Sequence, residues 1–136
     1  MSTKISKNFT LSELVKTNTG LLNNPNEEQI VNLRVLTAAI LQPLRSSLKE
    51  SVVITSAFRS KEVNAAVNGS EDSFHMSGMA ADFKVKSFEL AIGYITAYLE
   101  YTELGIYKTK KGVIKFIHVA YNPLNLSKEV FIKIVE

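Results

Sequence analysis

The sequence predicts one α+β domain over residues 1–136, an antiparallel sheet with N-terminal helices packed on it. Three observations carry that expectation. Residues 26–48 hold apolar side chains at spacings of three and four, the period of a helix with one buried stripe. The stretches SVVITSAF, MAADFKV, VIKFIHVAY and EVFIKIV are short and β-branched or alternating, as strands are. No repeat, low-complexity run or linker divides the chain, and 136 residues suffice to bury about two thirds of the unfolded surface in one core.

In chain order, Thr10 followed by Glu13 has the spacing of a capping box and predicts a short helix over 11–16. The turn-rich TNTGLLNNPN follows. Asn26 with Gln29 then caps a longer helix whose stripe is Ile30, Leu33, Leu36, Ile40, Leu44 and Leu48, read as core. Pro43 inside that pattern should kink or break it near Gln42. Residues 52–57 read as a buried strand ending at Phe58 and Arg59, and Ser60 caps a short helix over KEVNAAV. After the loop NGSEDS, MAADFKV alternates, with Phe83 and Val85 on one face and Ala80, Asp82 and Lys84 on the other. Ser87 caps a helix to about residue 101 with the stripe Phe88, Ile92, Ile95 and Leu99. LGIY, the turn KTKKG and VIKFIHVAY form a hairpin, and EVFIKIV is the last strand.

The composition excludes whole classes of chemistry. There is no cysteine, so disulfides, thiolate metal sites and cysteine nucleophiles are ruled out, and a metal must be held by His, Asp or Glu. The histidines are His75 and His118. Sixteen Lys and Arg against 13 Asp and Glu give a net charge of +3, spread along the chain rather than clustered, which argues against a nucleic-acid partner. The N-terminus MSTKISKNFTLSEL lacks the apolar core of a signal peptide, and no segment has the length of a membrane span. The expectation is a monomer made in the cytoplasm, without a membrane partner, that reaches an external target by lysis or inside a particle.

The stretch SEDSFHMSGMAADF, residues 70–83, concentrates the chemistry. His75 and Asp82 stand seven residues apart, about 23 Å in an extended chain, so they meet only if the chain folds back. Ser77 and Gly78 supply a turn, and Ala80 with Ala81 leaves room for close backbone approach. On these residues alone, a surface histidine and a solvated aspartate explain the stretch as well. His118 lies in the most strongly β-forming run, on a face with Ile114, Phe116 and Ala120, where an uncompensated imidazole is costly. One backbone partner would satisfy it. Two His and one Asp would also make a three-ligand zinc site with a fourth position open for water.

The segment ITSAFRSKEVNAAVNGSEDSFHMSGMAADF followed by FIHVAY resembles the zinc D-Ala-D-Ala carboxypeptidase family, which includes D-Ala-D-Ala dipeptidases and phage L-alanyl-D-glutamate endopeptidases. The family's S-x-H-x-x-G-x-A-x-D signature falls on Ser73, His75, Gly78, Ala80 and Asp82, and its H-V motif on His118 and Val119. FTLSEL, NLRVL and PLRSSL extend the likeness toward the N-terminus. The resemblance implies a fold like that of these peptidases and of hedgehog signalling domains, a Zn2+ cofactor on His75, Asp82 and His118, and hydrolysis of peptidoglycan stem peptides. Arg59 matches the family arginine, a fixed cation for the oxyanion or a substrate carboxylate; unaided, it reads as a surface arginine paired with Glu62 or Glu71. Ser73 matches a substrate-holding position and reads equally as a loop cap.

The general base departs from the family pattern. Three residues before the second histidine, where the family has Asp or Glu, stands Lys115, and the H-V-D run is altered to His118, Val119 and Ala120. A lysine is protonated at neutral pH unless strongly desolvated, and strand alternation puts Lys115 on the face opposite His118. Glu103, Glu71 and Asp72 are the carboxylates left to consider. The expected function is a zinc metallopeptidase of the bacterial cell wall, carboxypeptidase or endopeptidase, encoded by a phage for lysis or entry. The alternative is a zinc-bearing but catalytically silent cell-wall-binding or virion module, and a metal-free remnant of the fold comes third.

Overall fold

Local capping starts the first two helices. In the computed structural model, which describes residues 3–136, Thr10 and Glu13 close a reciprocal capping box on α1 (Leu11–Val15). Asn26 and Gln29 do the same for α2 (Glu27–Leu36). Each pair satisfies N–H groups that a helix start would otherwise leave orphaned. A short hairpin that sequence periodicity does not announce, β1 (Lys4–Ser6) with β2 (Phe9–Thr10), leads into α1.

Pro43 neither breaks nor sharply ends the long helical run. A π-helical turn over Thr37–Leu41 precedes α3 (Gln42–Leu48), which has the proline in its first turn. The Gln42 N–H reaches back to the Thr37 carbonyl, the wider spacing of a π turn. That widening accommodates a ring that would clash in a regular helix and a position without an N–H. The stripe survives it: Leu33, Leu36, Ile40 and Leu44 are fully buried.

The main sheet has the order β3 (Val53–Ser56), β4 (Ala80–Lys84), β6 (Ile114–Ala120), β5 (Glu103–Lys108), β7 (Glu129–Ile134). Its first four strands pair antiparallel, as expected, but β7 runs parallel to β5, so the sheet is mixed. Connectivity explains this. Strand β6 is flanked on both sides, so the chain leaving it crosses eight residues, 121–128, to the free edge of β5 and starts beside that strand's own beginning. Thr102 clamps the crossing: its hydroxyl donates to the Asn125 carbonyl (2.7 Å) and accepts from the Asn122 N–H (2.7 Å).

Two further helices complete the domain. Ser60 caps α4 (Lys61–Ala66) through the Val63 N–H. The last, α5 (Phe88–Tyr98), ends earlier than its apolar pattern suggests, and Ser87 does not cap it: the Ser87 N–H and hydroxyl both donate to Glu50. Ile54, Ala81, Phe83, Leu104, Ile117 and Val119 form the inner face of the sheet and share one core with the stripe of α2 and α3 and with Ala91 and Ile95 of α5. The opposite face is left for chemistry. Among the described residues no helix is long and apolar enough to cross a membrane.

Candidate metal centre

Three separate devices bring the polar residues of that outer face together. Asp82 of β4 and His118 of β6 are direct cross-strand partners, so the ladder itself sets their side chains on one face. His75 comes from outside the sheet, on a 3-10 turn over Phe74–Ser77. Ser73 caps that turn by accepting from the His75 N–H (3.2 Å), and Gly78 ends it in the left-handed region at φ 78°. Helix α2 holds it down, with Gln29 donating to the Met76 carbonyl and Asn32 to the Ser77 carbonyl. A Cβ on Gly78 would lie 2.5 Å from the Gln29 carbonyl oxygen, so both its φ and the close approach demand glycine. The fold-back required between residues 75 and 82 is therefore this turn.

His75, Asp82 and His118 offer ligand atoms that all lie within 4.8 Å of one another, a group that could hold a metal ion. His75 Nδ1 sits 2.7 Å from the Ala57 carbonyl oxygen, which only accepts, so Nδ1 carries a proton and Nε2 is the nitrogen that faces the centre. Asp82 Oδ1 is 3.2 Å from His75 Nε2 and 2.9 Å from His118 Nδ1. Donors sharing a tetrahedral zinc at about 2.0–2.1 Å lie about 3.3 Å apart, so these spacings fit such an ion closely. The donor chemistry fits as well: two imidazoles and a carboxylate, no thiolate, and a cleft of about 470 Å3 open beside them.

Without a metal the three groups satisfy one another. Burial alone would raise the Asp82 pKa, but hydrogen bonds from His118 and His75 and their charge outweigh it and hold the carboxylate well below its usual range. Burial alone would lower the His118 pKa, yet hydrogen bonds to Asp82 and Glu103 push it up to about 9. Both its nitrogens face carboxylate oxygens, Nδ1 toward Asp82 and Nε2 toward Glu103 Oε1 at 2.9 Å.

Arg59 follows β3 and is fixed on three sides. Its Nε donates to Ser56 Oγ (3.0 Å), Nη1 to Asn64 Oδ1 (3.3 Å), and Nη2 pairs with Asp82 Oδ2 (3.4 Å). Its acidic partner is thus Asp82, inside the site, rather than Glu62 or Glu71, and it lines the cleft. Ser73 also lines the cleft, combining the cap with a hydroxyl hydrogen that can be donated into it. Lys115 is exposed, on the face away from His118. Of the three remaining carboxylates, Glu103 touches the triad, Asp72 lines the cleft, and Glu71 lines a separate groove with Asn26 and Met76.

Sequence reasoning missed the far wall. Tyr107 stacks on Phe116 with ring centroids 4.3 Å apart, and Phe131 of β7 lies 6.0 Å from the His118 ring. Gly105, cross-strand partner of both His118 and Phe131, makes room for this: a Cβ there would come within 2.5 Å of the Phe131 ring and 3.1 Å of the Tyr107 ring. Asn64 was missed too. It is buried and joins Arg59 to the Ser70 carbonyl. Only the pairing of β5 with β6 and β7 brings the aromatic residues to the cleft, and single-strand periodicity carries no signal of it.

A comparison with curated proteins finds no match. The family model described as Peptidase M15 matches residues 7–120, which include every residue of the triad, Arg59, Ser73 and Glu103. With more than four fifths of the sequence matched and the metal-ligand geometry in place, the chain belongs to the Peptidase M15 family of zinc metallopeptidases.

Proposed function

We propose that this zinc peptidase hydrolyses peptide bonds in the stem peptides or cross-links of bacterial peptidoglycan, in a phage-encoded lysis or entry role. The observation that carries the peptidase reading is the convergence of His75 Nε2, Asp82 Oδ1 and His118 Nδ1 beside an open cleft that also holds a fixed guanidinium. The peptidoglycan substrate and the phage setting rest on the resemblance of the Ser73 to Asp82 signature and the His118 motif.

His75, Asp82 and His118 would hold the ion. Zinc in such a set supplies Lewis acidity, which makes water a nucleophile near neutral pH. Around it the chain's own groups divide the work. The anchored guanidinium of Arg59 can bind the carbonyl oxygen as negative charge develops there, or a terminal carboxylate of the peptide. Ser73 donates its hydroxyl to the peptide backbone. The proton released as the C–O bond forms passes to a cleft carboxylate, Glu103 or Asp72, and is returned to the amine as the C–N bond breaks. A cleft of about 470 Å3 admits a short peptide segment rather than a folded protein.

One experiment tests this reading. Purified protein, as isolated and after chelation, is incubated with peptidoglycan and the products are analysed by mass spectrometry. Chelator-sensitive release of new termini supports the peptidase and identifies the bond. Zinc at one per chain with no product would favour the silent cell-wall-binding or virion module, the reading to which Lys115, in place of a carboxylate, points. Undiminished hydrolysis by His75→Ala would remove the metal mechanism.

A further inference from the structure

We infer that Glu103 is the positioning residue for His118: its carboxylate receives the imidazole Nε2–H and thereby turns Nδ1 toward the metal. The inference rests on the triad holding an ion, as proposed above, and goes beyond it by assigning a residue outside the ligand set.

An imidazole ligand must present one nitrogen as a lone pair and keep its proton on the other, so a ligating histidine needs an acceptor on its far side. The two histidines here obtain theirs differently. For His75 it is the Ala57 carbonyl, at 2.7 Å from Nδ1. For His118 the ring is reversed, with Nδ1 against Asp82 and Nε2 at 2.9 Å from Glu103 Oε1. Backbone cannot serve there, because β6 has both of its edges engaged in the sheet. A side chain from a neighbouring strand must.

Sheet register makes Glu103 that side chain. It pairs directly with Ala120, and Gly105 pairs with His118, so Glu103 and His118 are diagonal neighbours on the outer face. Residues so placed are within reach when one side chain is long. Ala120 opposite Glu103 has only a methyl group, which leaves the carboxylate room to lean across toward the ring. On the other side Phe131 closes against His118 over Gly105. The ring is held between an acceptor and an aromatic wall, with Glu103 still partly open to the cleft at 27% side-chain exposure.

Zinc binding by the full chain tests the assignment, measured by competition with a chromophoric chelator for wild type, Glu103→Ala and Glu103→Gln. Glu103→Ala is expected to bind zinc about 10- to 100-fold more weakly, the usual cost of losing a ligand's supporting partner. Glu103→Gln keeps an oxygen acceptor of nearly the same shape and should recover most of that loss. In the zinc-loaded protein, the 15N-coupled Nε2–H signal of His118 should persist in wild type and Glu103→Gln and be lost to solvent exchange in Glu103→Ala. Circular dichroism of the metal-free variants checks that all three are folded. Equal zinc affinity for wild type and Glu103→Ala overturns the inference, and so does a Gln variant no better than the Ala variant, since the carboxylate would then act by charge alone. A wild-type protein that takes up no zinc overturns it together with the reading on which it rests; zinc uptake without hydrolysis removes only the peptidase activity.

Discussion

The two faces of the main sheet are built from alternate residues of the same strands and obey different rules. On the inner face Ile54, Phe83, Leu104, Ile117 and Val119 are almost wholly removed from water among other apolar groups. Each contributes by the area it buries, at about 25 cal/mol per Å2, and none needs a particular partner. On the outer face Asp82 and His118 are each only 8% exposed, yet they are polar and ionisable. They are tolerated because each lies against the other and against His75, Arg59 or Glu103. Loss of one inner residue leaves a gap, whereas loss of one outer residue leaves its partners buried and unpaired.

The largest expected effect breaks the outer face alone. His75→Ala, or chelation of the wild type, should lower the proposed peptidoglycan hydrolysis by about a thousandfold or more, as expected when a Lewis acid worth several kcal/mol is lost. Mass-spectrometric quantification of released peptides checks it, and recovery of activity on adding zinc to the chelated wild type, but not to the variant, completes the test. The converse change breaks the inner face. Ile54→Ala should cost about 2–5 kcal/mol in urea unfolding while zinc affinity of the folded protein stays near that of wild type. If zinc affinity fell in proportion, the two faces would not be separable.

Gly78→Ala joins the two. Its φ of 78° and the Gln29 carbonyl 2.5 Å from the added methyl predict a loss of about 1–3 kcal/mol by thermal or denaturant unfolding. Zinc affinity should fall as well, because the displaced turn carries His75.

The smallest effect is a dependence on pH. In the metal-free protein His118, pushed up to about 9 by Asp82 and Glu103 despite its burial, is protonated at neutral pH, so a metal must displace a proton. Zinc affinity should therefore rise with pH by up to about tenfold per unit toward pH 9 and flatten beyond it, as calorimetry would show. Stability of the metal-free fold runs the other way. A raised histidine pKa contributes stability fully below its ordinary 6.5, and that contribution disappears as pH rises through about 9. The depressed Asp82 pKa contributes above its ordinary 3.8, and its share is lost as pH falls below that value. Metal-free protein should thus unfold at its highest temperature between about pH 4 and 6.5.

Much of this was legible in the residues themselves. Thr10 with Glu13, Asn26 with Gln29, and Ser60 announce helix starts because a cap and the N–H it satisfies lie within three positions. The alternation of MAADFKV and VIKFIHVAY gives the facing of Asp82 and His118, and places Lys115 on the side where it stands. The fate of Pro43 was less legible, since a π turn and a break have the same apolar spacing around them. Glu103, Glu71 and Asp72 could not be ranked along the chain, because their distance from His118 depends on which strands become neighbours.

By itself the sequence determined the ligand types, the absence of thiolates, the helix caps and the glycine that turns the chain between His75 and Asp82. These depend on residues a few positions apart, where chain geometry leaves few choices. Tertiary structure alone decided that β7 joins parallel to β5, that Glu103 reaches His118 Nε2, and that Tyr107, Phe116 and Phe131 wall the cleft. Those contacts come from strand pairing between distant segments, and register is chosen by the whole buried face at once rather than by any one strand.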